Sequence, residues 1–132
     1  MSAATELSAA TEQRGSILVA EDEYAVRTLL RKALEDEGFT VIETADGNEA
    51  LAEFQRCRDD ISLLITDVAM PKKDGKALFE EIRKARPDMK VLFISGYLED
   101  SRLAEISDAG HPFVRKPFSP KKLLARVREI LA

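Results

Sequence analysis

LLITDVAMPKKDG, from Leu63 to Gly75, runs four apolar or β-branched residues straight into an acid, Asp67. A Met-Pro pair and an Asp-Gly pair follow at once. An apolar run of this length closed by turn formers reads as a fully buried strand. Pro71 and Asp74-Gly75 stop it and build a loop. Asp67 therefore belongs at the carboxyl end of a strand, the end where ligands bind in open α/β sheets. Satisfying loop backbone or capping the next helix would be a purely structural use of the same residue.

The same grammar repeats along the rest of the chain. Ile17 to Ala20 is an apolar strand that ends in Glu21-Asp22-Glu23. Val26, Leu29, Leu30, Ala33 and Leu34 recur at helical spacing, and Gly38 stops that helix. Phe39 to Thr44 reads as a second strand, and Asp46-Gly47-Asn48-Glu49 as a turn opening a helix over Ala50, Leu51 and Phe54. After the strand at Leu63–Thr66, Ala77, Leu78 and Ile82 mark a helix that ends before Pro87. Val91 to Ser95 is the fourth strand, Leu103 and Ile106 mark a weaker helix closed near Gly110, and Phe113 to Arg115 is a short fifth strand. Ser119-Pro120 pairs an N-cap with a proline at N1, ahead of an amphipathic helix on Leu123, Leu124, Val127, Ile130 and Leu131. Five alternations of strand and helix predict a parallel sheet with helices on both faces: a flavodoxin-like (βα)5 sandwich with strand order 2-1-3-4-5.

The 132 residues suit one domain. Residues 1–15, rich in Ser, Ala, Thr and Glu, are expected to be a disordered arm or linker. Residues 16–132 are expected to form the folded unit, with no further domain. A net charge of −4 with signs interspersed leaves no basic footprint for nucleic acid. No apolar run reaches membrane-spanning length, so no membrane insertion is expected. One cysteine, Cys57, precludes an internal disulfide and fits a reducing cytoplasm. His111, the only histidine, lies in a Gly-His-Pro turn and reads as a loop residue.

In the 2-1-3-4-5 order the crevice opens between strands one and three. Those strands carry Glu21-Asp22 and Asp67, and neighbouring strands lie about 4.8 Å apart. Crowded carboxylates resist ionisation unless a cation joins them. Mg2+, a hard ion that takes carboxylates, carbonyls and waters, meets that need; a solvated acidic rim is the bland alternative. Ser95 ends strand four with a hydroxyl and Lys116 follows strand five with an ammonium. Acid, acid, hydroxyl and amine at four strand ends suit phosphoryl transfer, with Asp67 as nucleophile, Lys116 as a point charge on phosphoryl oxygens and Ser95 bonding the attached group.

These residues resemble the response-regulator receiver domains of bacterial two-component signalling. The likeness runs from about Ser16 to Ala132 through ILVAEDE, ADGNEAL, LLITDVAMPKKDG, VLFISGY and FVRKPFS, and the SGY run is most similar to receivers of hybrid histidine kinases. The resemblance implies that a histidine kinase or a histidine phosphotransfer domain phosphorylates Asp67. It implies Mg2+ ligation by Asp22, Asp67 and the Ala69 carbonyl, with Glu21 acting through water. It makes Ser95 the phosphoryl-sensing hydroxyl, Lys116 the phosphate-binding lysine and Phe113 a rotating aromatic, and it implies a cis bond at Lys116-Pro117. Output, and a homodimer, would use the face of helix four, strand five and helix five. Ser95 and Phe113 are expected to end neighbouring strands and so to be coupled. Two departures stand out: Gly96 follows Ser95, where the family more often has Ala, and the segment Gly110–Lys116 is one residue short.

Three other functions compete. An aspartyl phosphatase of the haloacid-dehalogenase type needs a second acid two residues after the nucleophile, and Ala69 cannot exchange protons. A flavin or nucleotide module needs a phosphate-cradling loop after strand one, where Glu21-Asp22-Glu23 repels phosphate. A receiver that no longer takes phosphate would lack one of the required side chains, and none is missing. A receiver would catalyse its own phosphorylation and dephosphorylation without turning over an external substrate.

Overall fold

The computed structural model describes residues 15–96 and 101–132. Apart from Gly15, the expected arm lies outside them, as do Tyr97 of the SGY run and the approach to the fourth helix. The elements are β1 (Ser16–Ala20), α1 (Tyr24–Asp36), β2 (Thr40–Thr44), α2 (Gly47–Cys57), β3 (Ile61–Asp67), α3 (Gly75–Ala85), β4 (Lys90–Ser95), α4 (Ser101–Asp108), β5 (Phe113–Arg115) and α5 (Pro120–Leu131). All strand pairs are parallel, in the order β2-β1-β3-β4-β5. This is the expected flavodoxin-like arrangement.

The strands read as unbroken apolar runs because alternate residues enter two different cores. Leu18, Leu64, Val91 and Phe93 join Phe54, Leu78 and Phe79 under α2 and α3. Ile17, Val19, Ile65, Leu92 and Ile94 face the other way, against Leu30, Leu34, Leu123 and Val127 of α1 and α5. Both faces are dry, so polar side chains collect where the strands end.

Local signals set the helix ends. Asp46, Asp74 and Ser119 each accept a hydrogen bond from the backbone N–H three residues on, at 2.8, 2.8 and 3.1 Å. At the end of α1 the Gly38 N–H bonds the Glu35 carbonyl and the Phe39 N–H bonds the Leu34 carbonyl. With Gly38 at φ +94° this is a Schellman closure. Phe39 is thereby held beside α1 in the apolar core, and β2 starts one residue later than the sequence predicts.

One expected placement is corrected. Phe113 opens β5 and pairs in register with Phe93, whereas Ser95 pairs with Arg115. The two residues share a sheet face but stand two positions apart along the strands. With only three residues, β5 puts its first residue, not its last, at this position.

Candidate functional site

Glu21 continues β1 past its last strand residue. Its N–H donates to the Thr44 carbonyl at 3.1 Å, and its carbonyl accepts from Arg27 Nη1 at 2.8 Å. The Glu23 N–H donates to Glu21 Oε2 at 2.9 Å. Backbone and one carboxylate oxygen are thus fixed on a residue with 0% exposure. The remaining oxygen, Oε1, has no hydrogen-bond partner among the described residues. Lys116 Nζ comes within 2.9 Å of it as an ion pair, out of line for a hydrogen bond. Burial, only partly offset by Lys116 and the Glu23 N–H, raises the Glu21 pKa to about 7.

Asp67 is the last residue of the central strand and is 5% exposed. Its Oδ1 accepts from the Ala69 N–H at 3.2 Å and its Oδ2 from Lys116 Nζ at 2.8 Å. The loop after it turns back sharply. The Lys73 N–H bonds the Pro71 carbonyl at 2.7 Å, closing a three-residue γ-turn around Lys72, which sits at φ +69°. The chain then re-enters so close to Asp67 that a Cβ on Gly75 would lie 2.1 Å from the Asp67 carbonyl oxygen. Only glycine fits there.

Lys116 follows β5 directly, its own N–H donating to the Ser95 carbonyl at 2.8 Å. The expected cis peptide joins it to Pro117. Its ammonium lies 2.8 Å from Asp67 Oδ2 and 2.8 Å from Glu23 Oε1, besides Glu21. Burial alone would lower its pKa, but the three carboxylates of Asp67, Glu21 and Glu23 against the ammonium outweigh burial and hold it raised. Ser95 is buried at the end of β4 and lines the same cleft, of about 710 Å3, with Asp22, Asp67, Ala69 and Lys116.

The expected residues therefore meet, with one exception. Phe113 is half-buried against the core under α2 and α3 and does not line the cleft. His111 also stands apart, edge-on to Phe79 at 5.2 Å, with its pKa lowered by burial and by Arg83. Glu23 was visible in sequence as the third acid of the run, but its bond to Lys116 was not. It occupies the N-cap position of α1 without making a side-chain cap.

Ligand oxygens of Glu21, Asp22 and Asp67 all lie within 4.8 Å of one another. Oxygen donors at that spacing, one of them buried and without a hydrogen bond, fit Mg2+, whose octahedron is completed by waters. The arrangement sets a strand-end carboxylate against a fixed ammonium and beside oxygens spaced to hold a divalent ion.

Comparisons with known proteins agree on one family. The model for the response regulator receiver domain matches residues 17–128. Sensor kinase CckA of Brucella abortus (strain 2308) is 42% identical over 125 residues, covering 92% of this chain and 13% of that protein. The probable transcriptional regulator ycf27 of Porphyridium aerugineum is 37% identical over 120 residues, covering 90% of this chain and 49% of that protein. The chain thus spans only a fraction, at most about half, of either relative. The crystal structure of the receiver domain from hybrid histidine kinase CckA superposes with a TM-score of 0.75 at 37% identity, covering 89% of this chain and 100% of that one. Among the described residues no helix is long and apolar enough to cross a membrane. Strand order, acidic strand ends and family match converge: the chain belongs to the response-regulator receiver domains of two-component systems.

Proposed function

We propose that the chain is a phosphorelay receiver that takes a phosphoryl group onto Asp67 from a phosphohistidine of a histidine kinase or phosphotransfer protein. The observation that carries this reading is Asp67 on the central strand end, held by Lys116 at 2.8 Å, with the buried carboxylate of Glu21 2.9 Å from the same ammonium. An Asp67 carboxylate oxygen attacks phosphorus, the P–N bond breaks, and its electron pair leaves with the donor imidazole. Lys116 places a positive charge where the phosphoryl oxygens gather, and the Ala69 N–H and Lys116 orient the attacking carboxylate. Asp22, Asp67 and the Ala69 carbonyl, with Glu21 through water, would hold Mg2+. Bound there, the ion neutralises phosphoryl charge. Ser95 would bond the attached group.

The signal would leave through the face of α4, β5 and α5, which is also the face for a homodimer. The backbone link from Lys116 to Ser95 supports that route, since it ties β5 directly to the site. Phe113, on the same sheet face as Ser95, would be the aromatic that moves.

The test is labelling with a small phosphodonor, read by intact mass. Wild type should gain one phosphoryl group only with Mg2+ present, and Asp67→Asn should gain none. Labelling of Asp67→Asn at the wild-type rate would refute the assignment. Hydrogen exchange should slow across α4, β5 and α5 when beryllofluoride binds.

A further inference from the structure

The Lys116 ammonium has three protons to donate, and three carboxylates already surround it, at 2.9 Å for Glu21, 2.8 Å for Glu23 and 2.8 Å for Asp67. Glu23 and Asp67 accept hydrogen bonds from it and Glu21 crowds it as an ion pair, so a phosphoryl oxygen arriving at this cation competes with carboxylates already in place. Glu21 is fully buried and pinned by its backbone and by the Glu23 N–H. Asp67 is the acceptor itself. Glu23 differs from both: its side chain is 61% exposed and can rehydrate as it leaves. It also stands at the N-cap of α1, where a side chain usually accepts a backbone N–H. It makes no such bond and turns to Lys116 instead.

We infer that Glu23 is a displaceable competitor for Lys116, a positioning residue that holds the lysine over Asp67 at rest and sets how strongly an arriving phosphoryl group can claim it. The inference rests on Asp67 being the phosphoacceptor. Glu23 and the phosphoryl oxygens bid for the same ammonium and repel each other, so the carboxylate of Glu23 lowers the affinity of the site for a phosphoryl group.

The position separates contact from charge. Glu23→Gln removes the charge. Glu23→Asp keeps the charge but shortens the reach, and an aspartate at an N-cap accepts the helix N–H groups that glutamate leaves unbonded. Both variants should bind beryllofluoride with Mg2+ about two- to fivefold more tightly than wild type by titration calorimetry at low salt, the scale of an exposed ion pair. The gain should fade in 1 M salt. Glu23→Asp should also melt at a higher temperature than wild type, which checks that the carboxylate has moved to the cap.

Wild-type affinity in Glu23→Asp together with tighter binding in Glu23→Gln would mean that through-space charge, not the contact, matters, and would overturn the inference. Unchanged or weaker binding in both variants would overturn it as well. If wild type itself bound no beryllofluoride and took no phosphate at Asp67, the phosphoacceptor reading would fall first and this inference with it.

Discussion

Glu21 shows how one buried residue can oppose the stability of its own fold. Its native pKa, about 7, lies above the ordinary value of 4.5 because burial disfavours the charged form. The native state therefore binds more protons than the unfolded state between these two values. Stability from this group is fully present below pH 4.5 and is lost as pH rises through about 7. The separation corresponds to about 3 kcal/mol at most. In metal-free protein, urea midpoints should fall over this window in wild type, and Glu21→Gln should remove most of that slope. A slope that survived in the variant would place the proton elsewhere. Asp22, Asp67 and Lys116 were legible in sequence because each falls within two residues of the end of a run that reads as a strand. Glu23 was not: whether a glutamate caps its helix or crosses to a lysine ninety-three positions away is settled by tertiary structure alone.

The loop between β3 and α3 shows what an element contributes beyond its residues. Its γ-turn at Lys72 and the approach of Gly75 to the Asp67 carbonyl fold the chain back on the strand end, so Asp67 is held from both sides. Gly75→Ala would put a methyl group 2.1 Å from a backbone oxygen that cannot rotate away. The variant should lose about 2 kcal/mol or more by urea unfolding, in the range of an overpacked core. It should also bind beryllofluoride worse than wild type at a temperature where both are folded; an unaltered affinity would show that the loop does not position Asp67. The sequence disclosed this loop through its Met-Pro and Asp-Gly pairs. It hid one boundary and one register. Phe39 reads as strand because it is apolar, yet it is apolar to close α1 against Leu34. Phe113 opens a three-residue strand as its sequence reads, but its level beside Phe93 instead of Ser95 is a matter of register, which depends on the neighbouring strand.

At the scale of the whole molecule, the fold was legible because a parallel sheet buried on both faces writes itself as apolar runs. The site was legible because such a sheet leaves polar groups only one place to gather. Its members come from β1, β3, β4 and β5, so no fragment contains it, and a ligand that bridges them stabilises the entire sheet. Saturating Mg2+ at ten times its Kd should add about 1.4 kcal/mol to unfolding free energy. Asp22→Ala should abolish the increment, and an equal increment in the variant would mean that the ion binds elsewhere. Chains are made from the amino end, so the acids at 21, 22, 23 and 67 leave the ribosome long before the lysine at 116 that balances them. Between residue 67 and residue 116 the nascent chain carries all four acids without this counter-ion, and the strand that completes the sheet is also the one that delivers the missing charge.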